Sequence, residues 1–150
     1  MEFITHRFSD PDTLIDRVHS IFDDWERNGS LPSWLDDDTM HMLKLAIHEW
    51  LANLVQHADF KDRRPDISIT VNPANDGIEC AIEDNSEGFD LNGHLTAKPG
   101  VADAFPERGM GLLMIKACTH RLSYEELSGH RHRLAFTVST GHDPWLNIPF

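Results

Sequence analysis

The 150-residue chain sets 25 acidic residues against 13 Lys and Arg, a formal charge of −12. That balance argues against a nucleic-acid binder, which needs a basic footprint to neutralise phosphates, and it suits contact with basic protein surfaces. Apolar content is 40%, no run nears the ~20 apolar residues of a membrane span, and MEFITHRFSD is no secretory leader, so one cytoplasmic domain over 1–150 is expected.

EFITHRF, residues 2–8, alternates as a first strand. Ser9 or Asp10 then offers an N-cap, and Pro11 suits the first turn of a helix. Leu14, Ile15, Val18, Ile21, Phe22 and Trp25 recur at helical spacing, with Gly29 as the stop. Asp23, Asp24 and Glu26 read as the solvated face of that helix. DDDT at 36–39 supplies acids and a cap to a second helix, which KDRRPD breaks. Ile67, Ile69 and Val71 alternate as a strand, NDG at 75–77 signals a hairpin turn, and Ile78, Cys80 and Ile82 form its partner, running into Asp84.

From Asn85 to Arg108 periodicity fades among Gly, Pro, Asp and Asn. A loop of that length in a compact domain points to function, and about 90–108 is expected to close over a ligand as a lid. A third helix is expected directly after Gly109. Leu122 with Tyr124, then Leu134, Phe136 and Val138, make two last strands about the SGH turn. HRH at 130–132 with Glu125 and Glu126 fits no zinc spacing and reads as solvated turn residues. Cys80 and Cys118 belong to no CxxC pair and read as reduced core residues. Helices interleaved with hairpins imply a two-layer α/β sandwich, its mixed, mostly antiparallel sheet covered by helices.

Three stretches carry chemistry. LAIHEWLANLVQHA, residues 45–58, keeps Glu49, Asn53 and His57 one helical turn apart, in a stripe bordering the apolar arc of Leu43, Ile47, Trp50, Leu51 and Leu54. A carboxylate and an amide oxygen so placed suit Mg²⁺, or the orientation and deprotonation of a hydroxyl; a plain solvated edge has the same pattern. AIEDNSEGFD, residues 81–90, delivers Asp84 to a strand end, where a carboxylate can accept from an exocyclic amine and Gly88 permits close backbone approach. An ordinary acidic turn would look alike. PERGMGLLMI, residues 106–115, opens an apolar helix with two glycines whose free amides suit an anion, with Arg108 beside them; a simple flexible entry to a helix has the same pattern.

In this order the three stretches resemble the N, G1 and G2 boxes of the GHKL (Bergerat-fold) ATPase superfamily, over about residues 40–138. HEWLANLVQHA and PERGMGLLMIKACTH look most like the anti-sigma-factor serine kinases of bacterial partner switching. The resemblance implies a histidine-kinase-like ATPase fold that uses ATP and Mg²⁺. Glu49 would be the general base, Asn53 the Mg²⁺ ligand and Asp84 the reader of the adenine amine. Gly88 would give close approach, and Arg108, Gly109, Met110, Gly111 and Leu112 would meet the phosphates. His57 reads as a helix-end residue. Implied partners are a sigma factor, a STAS-domain anti-anti-sigma factor and a second copy of the chain. Departures from the pattern are Ser86 for a glycine in G1, Glu107 for a further glycine in G2, and Leu134 where a threonine often helps hold adenine. A Cβ at Ser86 would be harmful if that position needed positive φ or tight contact with a ligand. A non-catalytic protein-binding module is the rival reading, and the catalytic part of a histidine kinase a third.

Overall fold

Capping chemistry limits both long helices. In the computed structural model, which describes residues 4–29, 36–75, 77–89 and 114–140 (only the backbone of Ile4, Thr5 and Asn28), strand β1 spans Ile4–Phe8. Asp10 then caps α1, Pro11–Asn28, by accepting from the Asp12 N–H at 3.0 Å. Gly29 ends α1 in the left-handed region at φ 62°, its N–H returned to the Trp25 carbonyl. Asp36 caps α2, Asp37–His57, by accepting from the Thr39 N–H at 2.7 Å.

Strands β2 (Ile67–Ala74), β3 (Gly77–Asp84), β4 (His120–Leu127) and β5 (Arg131–Ser139) join β1 in a five-stranded sheet of order β1-β2-β3-β5-β4. Every neighbouring pair is antiparallel, the antiparallel limit of the mostly antiparallel sheet expected. Residues 114–118 are helical, the described part of the expected third helix.

The two-residue period of the strands sends one face to the helices and the other to solvent. Ile67, Ile69, Val71, Ile78, Ile82, Leu134, Phe136 and Val138 are buried, and they share one core with Leu14, Val18, Phe22 and Trp25 of α1 and Leu43, Ile47, Trp50, Leu51 and Leu54 of α2. Cys80 and Cys118 are free and buried in that core, as their isolation in the sequence implied, and burial pushes both thiols up from their ordinary pKa. An ion pair between Lys44 and Glu26 joins α2 to α1.

At the other surface Asp66, just ahead of β2, gathers two guanidinium groups. Arg7 of β1 donates through Nε and Nη2 at 2.9 and 2.8 Å, and Arg131 of β5 donates to Asp66 Oδ2 at 2.9 Å. Arg131 also pairs with Glu83 at 3.5 Å, so one charge network spans β1, β3 and β5. The Arg7 hydrogen bonds, helped by the charge of Arg131, hold the Asp66 carboxyl below its ordinary value.

Two expectations follow from this packing. Leu54, 1% exposed, and Val55, 38% exposed, are neighbours on α2. Leu54→Ala should lower unfolding free energy by about 2–5 kcal/mol and Val55→Ala by about 0.5 kcal/mol or less, measured by urea denaturation. For Asp66 the folded pKa lies below the unfolded one, so its contribution is present above the ordinary value of 3.8 and is lost as pH falls through the lowered one. Acidification from pH 7 to about pH 3 should therefore cost the native protein more stability than it costs Asp66→Asn, read from denaturation midpoints.

Candidate functional site

The stripe on α2 grades from buried to exposed. Asn53 is buried, Glu49 half-buried and His57 exposed in the last turn. Between the first two stands Trp50, fully buried, its ring 5.5 Å from those of Phe89 and Tyr124. Phe89 directly follows Gly88, so the segment of helix carrying Glu49 and Asn53 is tied to the turn after β3.

That turn is built around Asp84. The inward alternation of Ile78, Cys80 and Ile82 continues to Asp84 and buries its carboxylate completely, at 0% exposure. Oδ1 accepts from the Ser86 N–H at 2.9 Å and the Ser86 hydroxyl at 2.5 Å. The Ser86 oxygen in turn accepts from the Gly88 N–H at 3.1 Å. Oδ2 is buried and has no partner among the described residues. An ionised carboxylate only accepts, so a buried, unfilled oxygen suits an amine donor such as the exocyclic amine of adenine.

Ser86 does not bear the backbone cost anticipated for a Cβ at this position. Among the described residues the non-glycine positions with positive φ are Lys61, Arg121 and His130, so Ser86 needs no left-handed backbone. Its hydroxyl instead supplies Asp84 with a second donor. Gly88 does sit at φ 84°, and a Cβ built there would lie 2.5 Å from His132 Nε2. Glycine is therefore required twice, by the backbone and by the imidazole packed against it.

A belt of hydrogen bonds fixes the turn to the α2–β2 connection. The Asn85 side chain accepts from the Asp66 N–H at 2.8 Å and donates to the Arg64 carbonyl at 2.9 Å. Arg63 Nε donates to the Asn85 carbonyl at 2.8 Å, and the Glu87 N–H donates to the Asp59 carbonyl at 2.8 Å. On the far side the Phe89 N–H donates to the Tyr124 hydroxyl at 3.1 Å. Burial and the nearby charge of Asp84 push the Tyr124 phenol up from its ordinary pKa.

One neighbour of Asp84 escaped the sequence reading. HRH was expected to be solvated turn residues, and His130 is exposed at φ 59°, but His132 is 9% exposed and faces Asp84 across the β3–β5 ladder. The signal was the two-residue step His132, Leu134, Phe136, Val138, which puts all four on the inward face. Leu134, expected where a threonine often helps hold adenine, is buried and pairs with Ile82 in the ladder. His132 Nδ1 is buried without a partner among the described residues.

Of the residues expected to bind nucleotide, the fold thus gathers Asp84 and Gly88 in one turn and links that turn to the helix of Glu49 and Asn53 through Trp50. Arg108, Gly109, Met110, Gly111 and Leu112, and the lid at about 90–108, lie outside the described residues. Among the described residues no group of three or more His, Cys, Asp or Glu is placed to hold a metal. Mg²⁺ held by one or two protein oxygens, with phosphates and waters completing its shell, asks for no such cage, and the oxygen donors of Asn53 and Glu49 suit it. Removing the Ser86 hydroxyl should weaken the turn directly: Ser86→Ala should cost about 1–3 kcal/mol of unfolding free energy in a denaturant titration at pH 7, because it deprives a buried carboxylate of a donor.

Residues 9–138 match the histidine kinase-like ATPase domain. Serine-protein kinase RsbW of Bacillus cereus strain AH187 is 36% identical over 84 residues, 52% of this chain and 51% of that protein. The RsbW of Bacillus thuringiensis subsp. konkukian strain 97-27 is also 36% identical over 84 residues, and that of Bacillus anthracis strain CDC 684 is 34% identical over the same length, with the same shares covered. The chain spans about half the length of the curated relatives it matches. With the profile match running from just before α1 into β5, the chain belongs to the histidine kinase-like ATPase domain family.

Proposed function

We propose that the protein is an ATP- and Mg²⁺-dependent serine protein kinase that acts as an anti-sigma factor. In one state it holds a sigma factor; in the other it binds a STAS-domain anti-anti-sigma factor, phosphorylates it on serine, and is thereby returned to the sigma factor. A cytoplasmic homodimer is the assembly that goes with this reading. The similarity to RsbW serine-protein kinases supports the activity. The observation that carries the nucleotide site is the wholly buried Asp84 carboxylate with Oδ2 left unfilled.

The roles follow from what each side chain offers. Asp84 Oδ2 accepts from the adenine amine, while Oδ1 stays held by Ser86. Gly88, with no Cβ, keeps the turn close to the base. Asn53 presents its side-chain oxygen to Mg²⁺, which when bound neutralises phosphate charge. Glu49, half-buried one turn earlier, orients the substrate serine hydroxyl and takes its proton. The serine oxygen bonds to the γ-phosphorus as the bond from that phosphorus to the β,γ-bridging oxygen breaks, leaving ADP. The amides of Gly109 to Leu112, with Arg108, are assigned to the phosphates.

Calorimetric titration with ATP and ADP, with and without Mg²⁺, tests the site. Asp84→Asn should weaken ATP binding at least about tenfold, since an amide that turns its N–H₂ to the amine loses the acceptor. In a phosphotransfer assay on a STAS partner, Glu49→Ala and Asn53→Ala should each cut the rate about 10²-fold or more while circular dichroism stays native. Undiminished transfer in both variants would refute the assignment, and binding to the partner with no phosphoserine formed in the native protein would make it a contact regulator without catalysis.

A further inference from the structure

Two buried polar atoms at the end of the sheet are left without a partner among the described residues. One is Asp84 Oδ2 and the other His132 Nδ1, on residues directly opposite in the β3–β5 register and both on the core face. Asp84 is fully buried and His132 more than nine-tenths so, at 9% exposure. Buried polar atoms left open in a folded protein call for a ligand or a water.

The imidazole is held rather than loose. Tyr124 stacks on it with ring planes 13° apart and centroids 5.6 Å apart. From the turn after β3, the Cβ position at Gly88 lies 2.5 Å from Nε2 and 2.8 Å from both Cδ2 and Cε1. So short a distance to both flanking carbons places the Gly88 backbone over the ring face. With Tyr124 and Gly88 both packed on the ring, Nδ1 is its buried nitrogen without a partner among the described residues. An acceptor and an imidazole nitrogen carried by residues opposite each other in the ladder match a particular ligand edge. Adenine offers an exocyclic amine at C6 with ring nitrogens, N1 and N7, to either side; guanine offers a carbonyl at C6 and an N–H at N1, the reverse order.

We propose that His132 is a base-reading, specificity-determining residue. Its Nδ1–H, in the neutral tautomer, donates to a ring nitrogen flanking C6, beside the amine that Asp84 accepts, so that the two side chains together select a 6-aminopurine. This rests on the nucleotide-binding reading above and assigns to that site a contact that the sequence did not disclose.

The test is titration calorimetry of the native protein, His132→Leu and His132→Asn with ATP, 1-deaza-ATP and 7-deaza-ATP, each analogue replacing one ring nitrogen by C–H. Native protein should bind ATP about tenfold more tightly than one of the two analogues. His132→Leu should lose about tenfold in ATP affinity and no longer distinguish ATP from that analogue, because it has no donor to leave unpaired. His132→Asn, whose amide nitrogen can stand near the place of Nδ1, should restore the discrimination. A merely structural role would instead lower affinity for all three ligands alike, with the ratio unchanged in His132→Leu, and that result overturns the inference while leaving the ATP site standing. Equal binding of all three ligands by the native protein overturns it as well. If the native protein bound no ATP at all, the nucleotide reading and this inference would fall together. Should His132→Leu not fold, discrimination by the native protein that is absent from a folded His132→Phe, which has a ring but no donor, supports the inference, and discrimination that persists there overturns it.

Discussion

A carboxylate with no exposure to water is the constraint around which this end of the molecule is arranged. Asp84 is carried inward by the same alternation that buries Ile78, Cys80 and Ile82, and an uncompensated charge there would be costly. Ser86 offsets part of that cost with two donors to one oxygen. The bonds dictate the path of the chain: Ser86 must fold back, its oxygen then takes the Gly88 N–H, and Gly88 must be glycine because its φ and the His132 ring leave no room for a side chain. The other oxygen remains for something the described protein residues do not provide.

The architecture turns this local demand into a site. Helices cover one face of the sheet, and their apolar layer reaches the end of β3 through Trp50, Phe89 and Tyr124. Asn53 is buried beside that layer and Glu49 is at its margin, so the polar stripe of α2 lies where the hydrophobic core gives way. On the outer face the charges are engaged with one another, Arg7 and Arg131 on Asp66 and Arg131 on Glu83. Asn85 and Arg63 complete the frame by fastening the Asp84 turn to the connection that leads back from α2. Built in this way, the acidic chain keeps the Asp84 carboxylate out of general solvent at the margin of its core.

Ser86 shows how a departure from a family pattern can be read two ways. From the sequence it is a glycine replaced by a residue with a Cβ, and hence a source of strain. In the fold its backbone is ordinary, and the added hydroxyl becomes the shortest hydrogen bond to the central carboxylate. The rule about glycine was sound, but its premise, that the position needs left-handed backbone, belongs to conformation and not to composition. At Gly88, two residues on, the premise holds.

What the sequence determined by itself is what depends on neighbours along the chain. The caps at Asp10 and Asp36, the left-handed stop at Gly29, the hairpin of β2 and β3 and the i, i+4 stripe of Glu49 and Asn53 all follow from spacing and residue type, because helices and hairpins are set by contacts a few residues apart. The inward direction of Asp84 was legible for the same reason. Which residue faces Asp84 was not. It depends on the register between β3 and β5, strands separated by a long connection, and a shift of one residue would have turned His132 to solvent. The Asn85 belt and the docking of Trp50 on Phe89 likewise join segments far apart in the chain. Local rules thus placed the carboxylate, and only tertiary packing decided which groups surround it.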